Sequence, residues 1–371
     1  MFVTVIVFLL ILSFLVLIHE AGHFVVAKLF GIKVEEFGFG LPPRVFGIKK
    51  GETIYSINWL PIGGFVKLYG EDEAGAGRPK FKPQLSKAKV KDRNRAFFAR
   101  PVWQRALVVF AGVFMNFMLA VVIISVLFSV VGVATPGDKV VVDNISKDSP
   151  AATSGLKKGD LLLSINGQKI TSAQQVILYT RKHLGQKVAV QVKDNSKIEN
   201  LTIVPRKRYP ANEGPMGVEI SQNIITQKYP WYKAPFTGTW EALKQTGLII
   251  SGLGMLFYQI FFRGSLPSDV AGPIGIAQLT GQFVQIGPSA VLSFISLLSL
   301  NLAIVNILPV PALDGGRLFF ILLEGIFRRK VNQKIEGYAH AIGMAFLLGL
   351  ILLITLHDII RILTGQPLIP R

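Results

Sequence analysis

Four stretches of the chain, 1 to 30, 104 to 132, 289 to 310 and 340 to 362, stay apolar over the roughly 20 residues that a helix needs to cross a bilayer. Each is predicted to be a transmembrane helix. A fifth apolar stretch, 240 to 262, carries Glu241 and Lys244 among its glycines. It fits an amphipathic helix lying on the membrane as well as it fits a span, and the interfacial helix is the expectation adopted. Between the second and third spans, about 137 to 207, the pattern changes to period two. An apolar VVVDNI run, a SPAATSGLKKGDLLLSINGQKI segment, a helix candidate and the alternating VAVQV and NLTIV runs predict a compact β-rich module.

Composition agrees with a membrane protein. Half of the residues are apolar and only 17% are charged, too few for an ordinary soluble chain of 371 residues. The formal charge of +18 does not point to nucleic acid, because Lys and Arg are interleaved with the spans instead of gathered on one aromatic-rich domain. Anionic headgroups and the positive-inside bias account for it. The chain has no cysteine, which excludes disulfides, thiolate zinc ligands and cysteine nucleophiles together. The first apolar stretch lacks a basic n-region and is too long for a signal peptide, so it is read as a retained span.

Basic residues near the span ends set the orientation. Lys87, Lys89, Lys91, Arg93, Arg95 and Arg100 precede the second span, and Arg317, Arg328, Arg329, Lys330 and Lys334 follow the third. Both connections, 31 to 103 and 317 to 339, are therefore expected on the cytoplasmic side. The N-terminus, the region 133 to 288 and the tail 363 to 371 then lie outside.

Candidate chemistry sits inside this frame. His19-Glu20-Ala21-Gly22-His23 interrupts a run with no ionisable side chain from Met1 to Ile18. On a helix the two histidines face one way, at the spacing that lets two imidazoles share one Zn²⁺ with Glu20 beside the metal's water. Such groups in a span are costly unless paired, metal-bound or hydrated. Spans one and three run in the same direction, so their cytoplasmic ends share one depth. Near that end of span three stands NILPVPALDGG, whose only acid is Asp314. Asp314 supplies the third protein ligand that an open zinc site requires. Pro309 and Pro311 are expected to break the helix just before it, irregular backbone being tolerated at that depth where it lines a cavity.

Asn306 offers a side-chain amide to an unwound substrate backbone, or an interhelical hydrogen bond. Asn116 and Asn301 are read first as interhelical bonds. His183, His340 and His357 lack ligand spacing, and His357-Asp358 reads as a solvated helix end. The glycines between 37 and 70, Gly63 and Gly64 among them, fit turns.

Taken together, HEAGH at 19 to 23, FGFG at 37 to 40, PIGGFVKLYGED at 61 to 72, FMNF around Asn116, GPIGIA at 272 to 277 and NILPVPALDGGR at 306 to 317 resemble the site-2 protease family of intramembrane zinc metalloproteases. The resemblance is to the bacterial subgroup often called regulator of sigma-E protease, and it covers nearly the whole length. The SPA…GLKKGD…INGQ pattern looks like a bacterial PDZ domain. Two departures stand out: there is room for one PDZ domain where some members carry two, and Ala111-Gly112-Val113 replaces the AGP that many members read.

The resemblance implies a polytopic α-helical membrane protein of about four transmembrane helices, with one extracytoplasmic PDZ domain and a cytoplasmic-side membrane-associated β-hairpin region at 37 to 70. It implies one zinc per chain on His19, His23 and Asp314, Glu20 as general base, and Asn306, Gly63 and Gly64 as substrate-binding positions. Its substrates would be single-span proteins already trimmed outside, such as anti-sigma factors or signal-peptide remnants, with the PDZ domain binding a peptide or chain terminus and excluding untrimmed chains. The location would be a bacterial inner membrane. The competing class is an inactive membrane scaffold with a zinc site and a peptide-binding PDZ domain. Loss of the base or a fourth protein ligand would mark it, and Glu20 is present.

Overall fold

A computed structural model of the protein describes residues 2–71, 93–194, 197–210, 213–264, 270–329 and 331–364. Lys87, Lys89, Lys91 and Lys330, used above for orientation, lie outside the described residues. The chain forms two compact units: Met1–Ser129 together with Pro230–Arg371, and Val130–Tyr229.

In the first unit the order is α1 (Phe2–Leu29), β1 (Val34–Lys50), β2 (Thr53–Leu68) and α2 (Val102–Val126). The second unit contributes β3 (Val133–Ile145), α3 (Pro150–Thr153), β4 (Leu161–Ile165), β5 (Gln168–Lys169), α4 (Ala173–Lys182), β6 (Val188–Asp194), β7 (Lys197–Ile203) and β8 (Val218–Gln227). The chain then returns to the first unit through α5 (Ala234–Tyr258), α6 (Pro273–Ile286), α7 (Pro288–Ile307), α8 (Asp314–Phe327) and α9 (Gln333–Leu363).

Among the described residues four helices are long and apolar enough to cross a membrane: Val3–Leu29, Val102–Val131, Pro288–Ile307 and Lys334–Leu363. They coincide with the four stretches read from the sequence to within a few residues at most ends. Small residues let α1 and α2 approach closely. A Cβ on Gly22 would overlap the Ala111 carbonyl oxygen, and one on Gly112 would lie 2.5 Å from His23 Nε2. Farther along α2, Ala120, Val121 and Ile124 bury themselves against Ala242 of α5 and Leu300 of α7.

Strands β1 and β2 each double back. Phe37 pairs with both Val66 and Tyr55, so the two strands make four antiparallel segments in the order 64–68, 34–39, 53–57, 44–50. Among the described residues the 64–68 segment is thus paired on one side only. At its base the ribbon contributes Val34 and Leu68 to a core with Ala27, Val108 and Ile321, which ties it to α1, α2 and α8. Its far part exposes Val45, Phe46, Ile48, Ile57 and Trp59.

The Val130–Tyr229 unit is a six-stranded antiparallel sheet in the order β7-β6-β4-β3-β8, with β5 on the side of β4. Val188, Val190 and Val192 alternate inward along β6 and meet Val140, Leu162, Val176 and Ile203 in one core. Ser149 and Ser172 cap α3 and α4 by accepting from Ala152 N and Gln175 N. The sheet also takes in β8, beyond residue 207, because the 13-residue β3 pairs along most of its length with it.

Candidate metal centre

His19 and His23 stand one turn apart on α1, their rings edge to face with centroids 4.8 Å apart. The third group reaches them from far along the chain. Helix α7 stops at Ile307, where Leu308 turns extended, and α8 begins at Asp314. The two prolines between them remove ladder donors, and Ala312 takes a left-handed φ of 81°. Gly315 and Gly316 complete the turn, since a Cβ on either would overlap the carbonyls of Ile307, Leu308 or Val310.

Asp314 Oδ2 lies 2.7 Å from His19 Nε2 and 3.2 Å from His23 Nε2, and the two Nε2 atoms are 3.2 Å apart. Tetrahedral zinc with bonds of about 2.0–2.1 Å separates its ligand atoms by about 3.4 Å, so the triangle fits such an ion after a slight expansion. Among the described residues this is the group of His and acidic side chains whose ligand atoms converge, all within 4.8 Å of one another. Both histidines are buried, at 5% and 9% exposure.

The outer nitrogens are oriented as a metal site requires. His23 Nδ1–H donates to the Val108 carbonyl at 2.7 Å, which leaves the Nε2 lone pair facing inward. His19 Nδ1 lies 3.3 Å from the Asn116 carboxamide, whose other end is fully buried without a partner. The end nearest the ring is Nδ2 and the partnerless end is Oδ1; exchanging the two carboxamide ends would let Oδ1 accept an Nδ1 proton and give His19 the same tautomer as His23. The Asn116 side chain on α2 thus meets His19 on α1, an interhelical contact of the kind expected, and its backbone carbonyl accepts from Ser299 Oγ of α7 at 2.7 Å.

Glu20 is half-buried beside this triangle. Strand β2 runs past it along α1: Ser13 Oγ donates to the Pro61 carbonyl at 2.8 Å, and the Cβ position of Gly63 is 3.7 Å from Val16. The Cβ position of Gly64 is 3.7 Å from Glu20 Cγ. Gly63 has φ 82°, which only glycine adopts without strain, so the tight passage depends on it.

Charged clamps fix the ribbon around the centre. Glu52, in the β1–β2 turn, receives Arg95 through both carboxylate oxygens and Lys28 at 2.7 Å. Those hydrogen bonds, Arg95 first and then Lys28, hold its carboxyl at about 2. Arg317 reaches Glu71 from the first turn of α8. Burial works against the Arg317 charge, but the Glu71 and Asp314 carboxylates outweigh it and keep its pKa raised.

Of the other polar residues read from the sequence, Asn306 is half-buried on α7 and makes no side-chain hydrogen bond among the described residues. Asn301 bonds its own helix at Leu297 O. His183 stacks on Tyr179 and bonds its carbonyl. The solvated end expected at His357-Asp358 is not what the fold contains: Asp358 is fully buried and accepts from Gly275 N at 2.8 Å, satisfying an orphan donor at the start of α6. His340, passed over for want of ligand spacing, accepts from the Ala312 N–H.

A helical H-E-x-x-H joined by a distant carboxylate defines a metallohydrolase whose centre lies among apolar helices. The model of peptidase family M50 matches residues 7–350, and the chain belongs to that family. A Clostridium perfringens protein named as a zinc metalloprotease is 34% identical over 354 residues, covering 95% of this chain and 97% of its own. The regulator of sigma-W protease RasP of Bacillus subtilis is 31% identical over 425 residues, covering 97% and 99%. The zinc metalloprotease RasP of Geobacillus kaustophilus is 29% identical over 426 residues, covering 96% and 97%. This chain is a membrane zinc metalloprotease of the site-2 type.

Proposed function

We propose that the protein cuts a peptide bond within the transmembrane segment of a single-span protein already trimmed outside the membrane. One zinc per chain is held by His19, His23 and Asp314. The observation that carries the reading is the convergence of those three ligand atoms within 3.2 Å, on apolar helices, beside a free carboxylate. Bound there, zinc supplies a Lewis acid for the scissile carbonyl and water acidic enough to attack it.

The chain's own groups do the rest. Glu20 takes the proton of the attacking water and returns it to the leaving amine. A helical segment must be extended before its peptide bond is accessible, and the one-sided 64–68 segment beside Glu20 is an edge to which an extended chain can add as a strand. Gly63 and Gly64 keep side chains out of that passage, and the uncommitted Asn306 amide binds the substrate backbone. The Val130–Tyr229 unit acts as a PDZ domain that engages a peptide or chain end and excludes untrimmed proteins. In this reading the unit is extracytoplasmic, the metal centre lies near the cytoplasmic face of a bacterial inner membrane, and the exposed apolar part of the β1–β2 ribbon contacts lipid. Anti-sigma factors and signal-peptide remnants are the substrate classes of this reading; the Bacillus subtilis relative is named for sigma-W regulation.

The test is cleavage of a trimmed single-span substrate by purified protein in detergent, with Glu20→Gln and a zinc chelator in parallel. Cutting within the span by untreated wild type alone supports the proposal. Full activity in Glu20→Gln would remove Glu20 from its role, and zinc binding without cleavage of any substrate in a panel would favour a scaffold.

A further inference from the structure

We propose that His340, on the fourth apolar helix, is a positioning residue for the metal centre: its Nδ1 lone pair holds the Ala312 turn and so sets the direction in which Asp314 projects. The inference rests on Asp314 being a zinc ligand and adds to it a residue that neither touches the metal nor lies near the H-E-x-x-H segment in sequence.

Three observations carry it. Ala312 has φ 81°, and among the described residues the other non-glycine positions with positive φ are Asp148, Asn166 and Arg328. Asp and Asn tolerate that region through local hydrogen bonds, but alanine has no such recourse and needs tertiary support. That support is visible. The Ala312 N–H donates to His340 Nδ1 at 2.8 Å, and His340 is 4% exposed. Finally, Gly343, the next residue on the same face of α9, lies where any Cβ would overlap the Pro311 carbonyl oxygen. Helix α9 is thus shaped to the Pro311–Ala312 peptide at two successive contacts, two residues before Asp314.

The chemistry explains why histidine occupies this place in a span. Helix α7 has ended and α8 has not begun, so the Ala312 N–H has no carbonyl four residues back to accept it. A buried amide requires a partner. Neutral imidazole provides a rigid acceptor at Nδ1 while Nε2 carries the proton and faces Glu336 Oε1 at 3.9 Å. The ring is also packed on its flank by Phe320 of α8, with centroids 5.7 Å apart. Without the acceptor the alanine leaves the left-handed region, and rotation there swings Asp314 away from His19 and His23.

The test uses the full-length protein in detergent and measures zinc affinity by competition with a chromophoric chelator, a readout independent of any substrate. Asparagine places its Oδ1 where His340 has Nδ1, whereas the glutamine oxygen falls where Nε2 was. His340→Asn is expected to stay close to wild type, and His340→Gln and His340→Leu to weaken zinc binding by about 10-fold or more, the range of metal-site outer-shell losses. Wild-type affinity in His340→Leu, or equal losses in the Asn and Gln variants, would overturn the proposal. Should the leucine variant fail to fold, the Asn and Gln pair decides. Asp314→Asn is run alongside: if it binds zinc as tightly as wild type, the ligand assignment has failed and not the role of His340.

Discussion

Arg317 closes on Glu71 one helical turn past Asp314, joining the start of α8 to the end of the β1–β2 ribbon. Glu71 is held from its other oxygen by the Leu68 N–H at 3.2 Å. The pair therefore fixes the strand that passes Glu20 to the helix that begins with Asp314. Both side chains are mostly removed from solvent, at 28% and 17% exposure, so removing one partner strands the other. Arg317→Leu should destabilise the protein by about 2 kcal/mol, and Arg317→Lys by less, because the lysine keeps the charge without the fork. Thermal unfolding in detergent measures this, and a leucine variant with the wild-type melting temperature would show that the clamp contributes nothing.

The closeness of α1 and α2 gives a sharper test. At Gly112 a methyl group would sit 2.5 Å from His23 Nε2 and 2.8 Å from His19 Cε1, inside the space of the ligand triangle. Gly112→Ala should weaken zinc binding by about 10- to 100-fold, on the scale of other losses around metal ligands. Gly252→Ala is the control. That glycine lies within α5 with nothing near its Cβ position, so alanine there should be neutral or stabilise by up to about 1 kcal/mol. Unchanged zinc affinity in Gly112→Ala would mean that the helices separate freely.

Glu52 makes stability pH-dependent in a defined window. Its carboxyl is lowered from 4.5 to about 2 by Arg95 and Lys28, so the folded state binds its proton less readily than the unfolded chain. The contribution is fully present above about pH 4.5 and is lost as pH falls toward 2. Because Arg95 and Lys28 are partly exposed, about 1 kcal/mol is the expected size. The difference in melting temperature between wild type and Glu52→Gln should be constant above pH 4.5 and shrink below it. A difference that persists unchanged at pH 3 would assign it to packing.

Why some of this was legible beforehand follows from where each constraint resides. The spans were visible because burial in lipid demands an unbroken apolar run, and the break before Asp314 because prolines act locally. His19 and His23 share a face by helical periodicity alone. Asp314 could be paired with them only by counting span directions, an argument about depth that carries no distance. What escaped depends on contacts between distant segments. Nothing local marks Ala312 as left-handed, since alanine usually is not, and so nothing pointed to His340. Asp358 read as solvated because its partner, the Gly275 N–H, is 83 residues away. Strand β8 fell outside the module because it pairs with β3 across a long stretch of sequence, Val133 with Gln227 for example, and no local pattern marks such a partner.

The core of the Val130–Tyr229 unit offers a last test, one that separates the module's role from the chemistry. Leu162 is 2% exposed on β4 and packs in a core whose members all belong to that unit. Truncation to alanine should cost about 2–5 kcal/mol, by lost transfer energy and the cavity left behind. None of His19, Glu20, His23 and Asp314 belongs to that unit, so zinc affinity in Leu162→Ala should match wild type. If the unit screens substrates by size, the variant should cut a trimmed substrate at the normal rate and also begin to cut an untrimmed one. Both substrates are assayed with the same preparation, at a temperature where a proteolysis-sensitive module shows that its packing is lost. Continued rejection of the untrimmed substrate by a loosened module would place the screening elsewhere in the protein.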